Sequence, residues 1–225
     1  MIEQVIKRRK SLYPQNNNVR IRLALALGCS IVVRIYNYGV PMRDLKKTSK
    51  SITHYDYLDT PIGSLLLAGC ANYLRFVSFP SISEEAAQEG HAGHTPREPL
   101  PAWAQDRTKF TQARRELTEY FAGTRTKFTI PLKLTGTDFQ RAVWKALQDV
   151  PYGETCSYGH IAHAIKNPRS SRAVGGANNA NPIPVIVPCH RIIGADKSMT
   201  GFGGGIPTKE FLLDLEGRVA GTRLL

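Results

Sequence analysis

The chain is poor in cysteine. Four occur in 225 residues, Cys29, Cys70, Cys156 and Cys189. They form no CxxC pair and show no metal-finger spacing, which argues against a zinc framework, and wide separation does not force disulfides. A reduced, cytoplasmic setting fits a chain that keeps a free thiol. Long apolar runs are also missing. Outside the region of Cys189 the longest is Leu23 to Val33, 11 residues, too short to span a bilayer. Acidic residues are scarce at one end only. Residues 1–50 carry 11 Lys/Arg against 2 Asp/Glu, residues 51–133 carry nine of each, and residues 134–225 carry 10 against 7. The net charge of +12 therefore sits mostly in an N-terminal segment. The mildly basic remainder allows phosphate contacts without requiring them. No internal repeat is evident.

Residues 1–50 read as a basic extension that adds nothing to the fold. Lys7-Arg8-Arg9-Lys10 ahead of the apolar run, and Ala26-Leu27-Gly28-Cys29 within it, faintly resemble an export signal. Asn16-Asn17-Asn18 and Arg20, Arg22 and Arg34 interrupt that pattern. Met42 is a plausible start for the compact part.

From residue 53 the pattern alternates. Thr53 to Leu58, Ser64 to Ala68 and Tyr73 to Phe79 read as strands, with Pro61-Ile62-Gly63 turning the first hairpin. Residues 81–106 are polar and read as a surface loop in which His91 and His94 are solvated. Phe110, Ala113, Leu117, Tyr120 and Phe121 recur on one face of a helix at about 107–122, with Gly123 as its stop. Phe128 to Leu134 is a short extended piece. A second domain opens at Thr137-Asp138-Phe139-Gln140, which matches a capping box. Phe139, Val143, Trp144, Leu147 and Val150 continue it as an amphipathic helix ending at Pro151-Tyr152-Gly153. Ser157 caps a helix running through Ile165, and a third spans about Ser170 to Asn178, together suggesting a helix-turn-helix. A last helix is expected from Pro207 to Gly217.

Two stretches stand out chemically. Arg172-Ala173-Val174-Gly175-Gly176-Ala177-Asn178 is nearly bare of large side chains, although each helical glycine costs about 1 kcal/mol against alanine. Close packing inside the protein, or close approach of a nucleic-acid groove with Arg172 leading, would each account for it. Small side chains suit a minor groove. The run Pro182-Ile183-Pro184-Val185-Ile186-Val187-Pro188 reads as a buried extended segment that ends in Cys189, His190 and Arg191. A thiol held there beside two basic groups gains thiolate character. A structural, buried cysteine is the alternative.

Together these residues resemble the O6-alkylguanine-DNA alkyltransferase family, the methylated-DNA–protein-cysteine methyltransferases. The likeness covers about residues 52–225 and rests on an ordered set. It comprises Tyr57-Leu58-Asp59-Thr60-Pro61-Ile62-Gly63, Thr137 to Trp144, Ser157-Tyr158, Ser171 to Ala177, Asn181-Pro182, Pro188-Cys189-His190-Arg191, Thr200-Gly201-Phe202, Lys209 to Leu213 and Glu216-Gly217. The resemblance implies an α+β protein. A ribonuclease-H-like mixed α/β domain would occupy 51–134, and a helical winged helix-turn-helix domain carrying the reactive cysteine would occupy 135–225. It implies a single-turnover DNA-repair transferase that moves the alkyl group of O6-alkylguanine to Cys189, with O4-alkylthymine left open as a second substrate. His190 would take the thiol proton through a water and Glu216 would orient His190. Tyr158 would donate towards N3 of the departing guanine, and Asn181 would hold the cysteine segment. Arg172 would fill the space left by the everted nucleotide. Ala173, Gly175, Gly176, Asn178 and Arg191 would complete the DNA contacts. The implied partner is double-stranded DNA, met through the minor groove by a monomer, with no cofactor, no metal and no membrane. The chain departs from the pattern at Asn178, where some relatives carry a larger apolar residue, and at Gly203, which leaves one contact to guanine O6 open. The residues alone leave room for a non-catalytic alkylguanine binder, a winged-helix regulator and a cysteine hydrolase.

Overall fold

A computed structural model describes residues 21–23, 33–35, 51–82, 94–95 and 98–222. Two short strands, β1 (Ile21–Leu23) and β2 (Val33–Ile35), pair antiparallel with each other. The rest of the expected N-terminal extension lies outside the described residues, as does His91.

The alternating stretch forms three antiparallel strands, β3 (His54–Leu58), β4 (Leu65–Cys70) and β5 (Tyr73–Ser78). The β3–β4 turn is tied by Thr60, whose hydroxyl donates to the Gly63 carbonyl at 2.6 Å and accepts from the Ile62 amide at 3.3 Å. A bulge at Ala68/Gly69 brings the chain so close to itself that a Cβ on Gly69 would lie 2.2 Å from the Tyr73 carbonyl oxygen, so only glycine fits. Strands β6 (Ser81–Ile82) and β7 (His94–Thr95) pair antiparallel.

The expected surface loop at 81–106 is corrected at both ends where it is described. Besides that β6–β7 pairing, β8 (Ala104–Gln105) adds to β3 in parallel, giving the order β5-β4-β3-β8. Trp103 is buried against Leu66, Ala68, Phe76 and Ile52 on one face of the sheet. The other face, carrying Leu58, Leu65, Leu67, Leu74 and Val77, meets helix α1 (Thr111–Phe121) through Phe110, Ala113, Leu117 and Tyr120. With β4 covered on both faces, its continuous apolar run needs no alternation.

The second half is helical. Helix α2 (Asp138–Gln148) begins with the expected capping box, Thr137 and Gln140 satisfying each other's backbone amides. Ser157 caps α3 (Tyr158–Ala164), and α4 (Ser171–Asn179) packs across it to complete the helix-turn-helix. Val143, Trp144, Leu147, Ile161, Ala162, Val174 and Ala177 make their shared core. The Trp144 indole donates to the Ala177 carbonyl at 2.8 Å. Helix α5 (Ile206–Ala220) overruns its expected end. Gly217 is buried inside it, and the left-handed Gly221 (φ 69°) closes it instead, as C-terminal glycines do. One continuous core joins both halves, running from Leu58 and Leu117 to Leu212 and Leu215.

Candidate active site

The apolar run before Cys189 is not the extended rod its prolines suggest. It doubles back: the Val187 amide donates to the Ile183 carbonyl at 2.9 Å, and Pro184 and Val187 form an isolated bridge. Val185 takes φ of 72°, a conformation a β-branched residue adopts only when its surroundings impose it. Burial of Ile183, Val185 and Val187 supplies that constraint. Asn181 staples the loop. Its Nδ2 donates to the Val187 carbonyl at 2.8 Å and its Oδ1 accepts from the Ile183 amide at 3.0 Å. From outside, the Val77 amide of β5 donates to the Pro182 carbonyl at 2.9 Å.

This loop delivers Cys189 to the start of a 3₁₀ turn, Cys189–Arg191, all three residues buried. The three residues therefore sit on a turn and do not continue an extended segment. The segment after the turn, β10 (Ile192–Ile193), pairs in parallel with β9 (Cys156–Ser157). That pairing brings the first residue of α3, Tyr158, beside the cysteine. Tyr158 shares a 2.7 Å hydrogen bond with the Thr200 hydroxyl.

Glu216 on α5 is fully buried. Its Oε1 lies 2.8 Å from His190 Nε2 and accepts from the Tyr120 hydroxyl at 2.8 Å and an Arg191 terminal nitrogen at 3.0 Å. Its Oε2 accepts from Arg191 Nε at 2.8 Å and the Gly153 amide at 3.2 Å. Gly153 reaches it with φ of 75°, where a Cβ would lie 2.4 Å from that of Ala220. Burial works to raise the Glu216 pKa, but the His190 and Arg191 hydrogen bonds and charges outweigh it and hold the carboxyl far below the usual range. It is a carboxylate under all ordinary conditions. Burial lowers His190 despite the opposing pull of Glu216, so the imidazole rests neutral. With Nε2 bound to the carboxylate, Nδ1 is its free nitrogen. That atom is buried and has no hydrogen-bond partner among the described residues.

Burial pushes the Cys189 thiol up to about 11, against opposing pulls from Asn181 and Lys209. The expected gain in thiolate character is corrected: the sulfur is protonated until something removes its proton. Lys209 is also buried, its ammonium donating to the Ile192 carbonyl at 2.5 Å and the Thr200 carbonyl at 3.3 Å. Burial lowers it to about 8, and the Cys189 charge pulls the other way.

Of the expected DNA contacts, Arg172, Ala173 and Gly176 are exposed on α4 and Gly175 is half-buried. A Cβ on Gly176 would meet nothing within 4 Å, and one on Gly175 would touch only the Tyr158 ring at 3.7 Å. Internal packing therefore does not require either glycine. Asn178 and Arg191 do not belong with them. Asn178 is buried, its Nδ2 donating to the Cys189 carbonyl at 3.3 Å. Arg191 is buried with its guanidinium committed to Glu216 and, at 2.7 Å, to the Val150 carbonyl. A guanidinium so engaged has no face left for phosphate. Tyr120, Lys209 and Gly153 were not foreseen. A buried carboxylate requires several donors, which was the available hint, but neither spacing nor periodicity names donors 63 and 96 residues away.

Residues 53–134 match the family model "6-O-methylguanine DNA methyltransferase, ribonuclease-like domain", and residues 138–218 match "6-O-methylguanine DNA methyltransferase, DNA binding domain". A methylated-DNA–protein-cysteine methyltransferase of Methanosarcina acetivorans is 46% identical over 164 residues, which is 73% of this chain and 98% of that protein. The chain belongs to this family. A Mycobacterium bovis protein of the same name is 48% identical over 163 residues, covering 72% of this chain and 92% of its own. The crystal structure of Mycobacterium tuberculosis OGT in complex with DNA superposes with a TM-score of 0.65 at 45% identity, covering 74% of this chain and 94% of that one. The family's two-domain plan, ribonuclease-like half first and DNA-binding half second, is the architecture described above.

Proposed function

We propose that the protein repairs DNA by moving the alkyl group of O6-alkylguanine to the sulfur of Cys189. The observation that carries this reading is the free, buried Nδ1 of His190, next in sequence to the thiol, on a ring whose other nitrogen is held by a carboxylate. His190 takes the Cys189 proton at Nδ1, through a water, and Glu216 steadies the resulting imidazolium. The thiolate attacks the alkyl carbon, the S–C bond forms as the C–O6 bond breaks, and the electron pair leaves with guanine. Tyr158 donates to the departing base at N3, and Asn181 fixes the loop that presents the sulfur. No step restores the thiol, so each molecule acts once.

An alkyl group on O6 lies inside the base stack and a fixed sulfur reaches it only if the nucleotide is everted, at a cost of a few kcal/mol. Arg172 enters the vacated space from the minor groove, and Ala173, Gly175 and Gly176 let the backbone approach. Residues 1–50 stand outside the catalytic body, which comprises domains at 51–134 and 135–225 and works as a monomer in the cytoplasm. Among the described residues no helix is long and apolar enough to cross a membrane.

A duplex carrying labelled O6-methylguanine tests the proposal. The expected result is one methyl per protein, on the tryptic peptide containing Cys189, with none on Cys189→Ala although that variant still binds the duplex. Label-free binding would mark a binding protein, and repeated turnover a hydrolase. Either result overturns the reading.

A further inference from the structure

Glu216 Oε1 serves three groups, an Arg191 terminal nitrogen, the His190 imidazole and the Tyr120 hydroxyl. His190 comes from the acceptor turn and Tyr120 from α1, in the ribonuclease-like half. Resting on the function proposed above, we infer that Tyr120 is a positioning residue of the acceptor relay. Its hydroxyl shares the carboxylate oxygen with the imidazole and so sets how firmly Glu216 holds His190.

The geometry leaves the phenol a single role. Tyr120 is fully buried and its hydroxyl donates to Glu216 at 2.8 Å. Burial and the neighbouring carboxylate hold its proton on well beyond the ordinary tyrosine range, so it donates and does not titrate. A carboxylate oxygen that receives a second hydrogen bond carries less charge toward the first. The Tyr120 hydroxyl therefore weakens the pull of Glu216 on the imidazolium, which keeps His190 neutral and ready to accept a proton. The other groups facing the imidazole have different effects. Arg191 and Lys209 oppose its protonation, the Cys189 thiol is neutral at rest, and the Phe202 ring stands edge-on at 6.5 Å. Tyr152 faces Glu216 with its ring 6.0 Å from that of Tyr120. Of the described groups bonded to Glu216, Tyr120 alone comes from the first domain. That half thus supplies a polar group to the reactive centre, in addition to the Val77 amide on the acceptor loop and Phe79, whose ring lies tilted against Phe202 at 5.3 Å.

Tyr120→Phe in the full chain removes one oxygen and keeps the ring contacts with Phe121, Phe128 and Tyr152. The rate of methyl transfer to duplex DNA, followed against pH, should show its acid limb displaced upward by about half a unit to one unit. The His190 imidazole, titrated by 15N NMR, should move in the same direction by the same amount. With Glu216→Gln already in place, Tyr120→Phe should move neither. A lower melting temperature with an unmoved profile and an unmoved His190 titration would make Tyr120 a packing residue and overturn the inference. If wild-type protein takes up no methyl, the proposed function fails instead. The NMR titration still decides whether Tyr120 governs His190.

Discussion

Among the described residues two glutamates are completely buried, one in each half, and they are used differently. Glu116 on α1 accepts from the Thr129 amide at 2.7 Å, the Thr129 hydroxyl at 2.5 Å and the Gln112 amide at 2.8 Å, with Arg125 standing off at 3.7 Å. Its hydrogen-bonding partners are neutral, and the bonds pin the extended piece after α1 back onto the helix. Glu216 is held by an arginine fork, a phenol and an imidazole one residue from a thiol. Burial tends to raise both carboxyls, and in each case the bonds outweigh it and hold the group below the usual range. Burial and a lowered pKa are therefore not marks of a functional carboxylate. The mark is a partner that can gain and lose a proton within reach of a nucleophile.

The largest expected effect separates the two. Glu216→Ala leaves Arg191 charged and buried and should lower stability by about 3–5 kcal/mol, and the surviving folded protein should transfer methyl far more slowly. Glu116→Ala should lower stability by about 1–3 kcal/mol and leave the transfer rate of folded protein unchanged. Urea unfolding and single-turnover kinetics measure the two quantities, and a slowed Glu116→Ala would erase the distinction. The next effect is acid sensitivity. Both carboxyls are depressed in the folded state, so the stability they contribute is present above the unfolded carboxylate range, near pH 4, and is lost as pH falls below it. His190 is also depressed, so the unfolded chain binds its proton first, and this loss begins near pH 6.5. Melting temperature against pH should decline in two stages. Glu216→Gln should alter both stages, and Glu116→Gln only the lower one. The smallest effect concerns the arginine beside Glu116, in contrast with the one that forks Glu216. Arg125 is partly exposed, 3.7 Å from Glu116 and bonded at 2.6 Å to the half-exposed Glu119, so Arg125→Ala should change stability by about 1 kcal/mol or less. Arg191→Ala should approach the loss expected for Glu216→Ala.

The sequence announces its elements where local chemistry decides them. The capping box at Thr137, the Ser157 cap and the hairpin at Pro61 all act within four residues, and each stands as read. It announces Cys189, His190 and Glu216 through their motif. It misleads where the outcome depends on distant packing. Arg191 and Asn178 look like surface polar residues until the fold turns them inward. The proline-rich run looks straight because nothing local reveals the reversal at Val185. Gly217 looks like a helix stop because glycine usually is one, whereas here it is buried inside α5 and Gly221 ends the helix. The meeting of Tyr120 with Glu216 spans 96 residues.

A last consequence follows from the sulfur's burial. With burial pushing its pKa up to about 11, Cys189 is overwhelmingly the neutral thiol at neutral pH. Peroxides, disulfides and stray alkylating agents attack the ionised form. In its resting state this residue is almost invisible to them, whereas Cys70, partly exposed and with its pKa lowered, is not. For the single-use acceptor proposed above, such chemical silence would keep the sulfur intact until a lesion arrives.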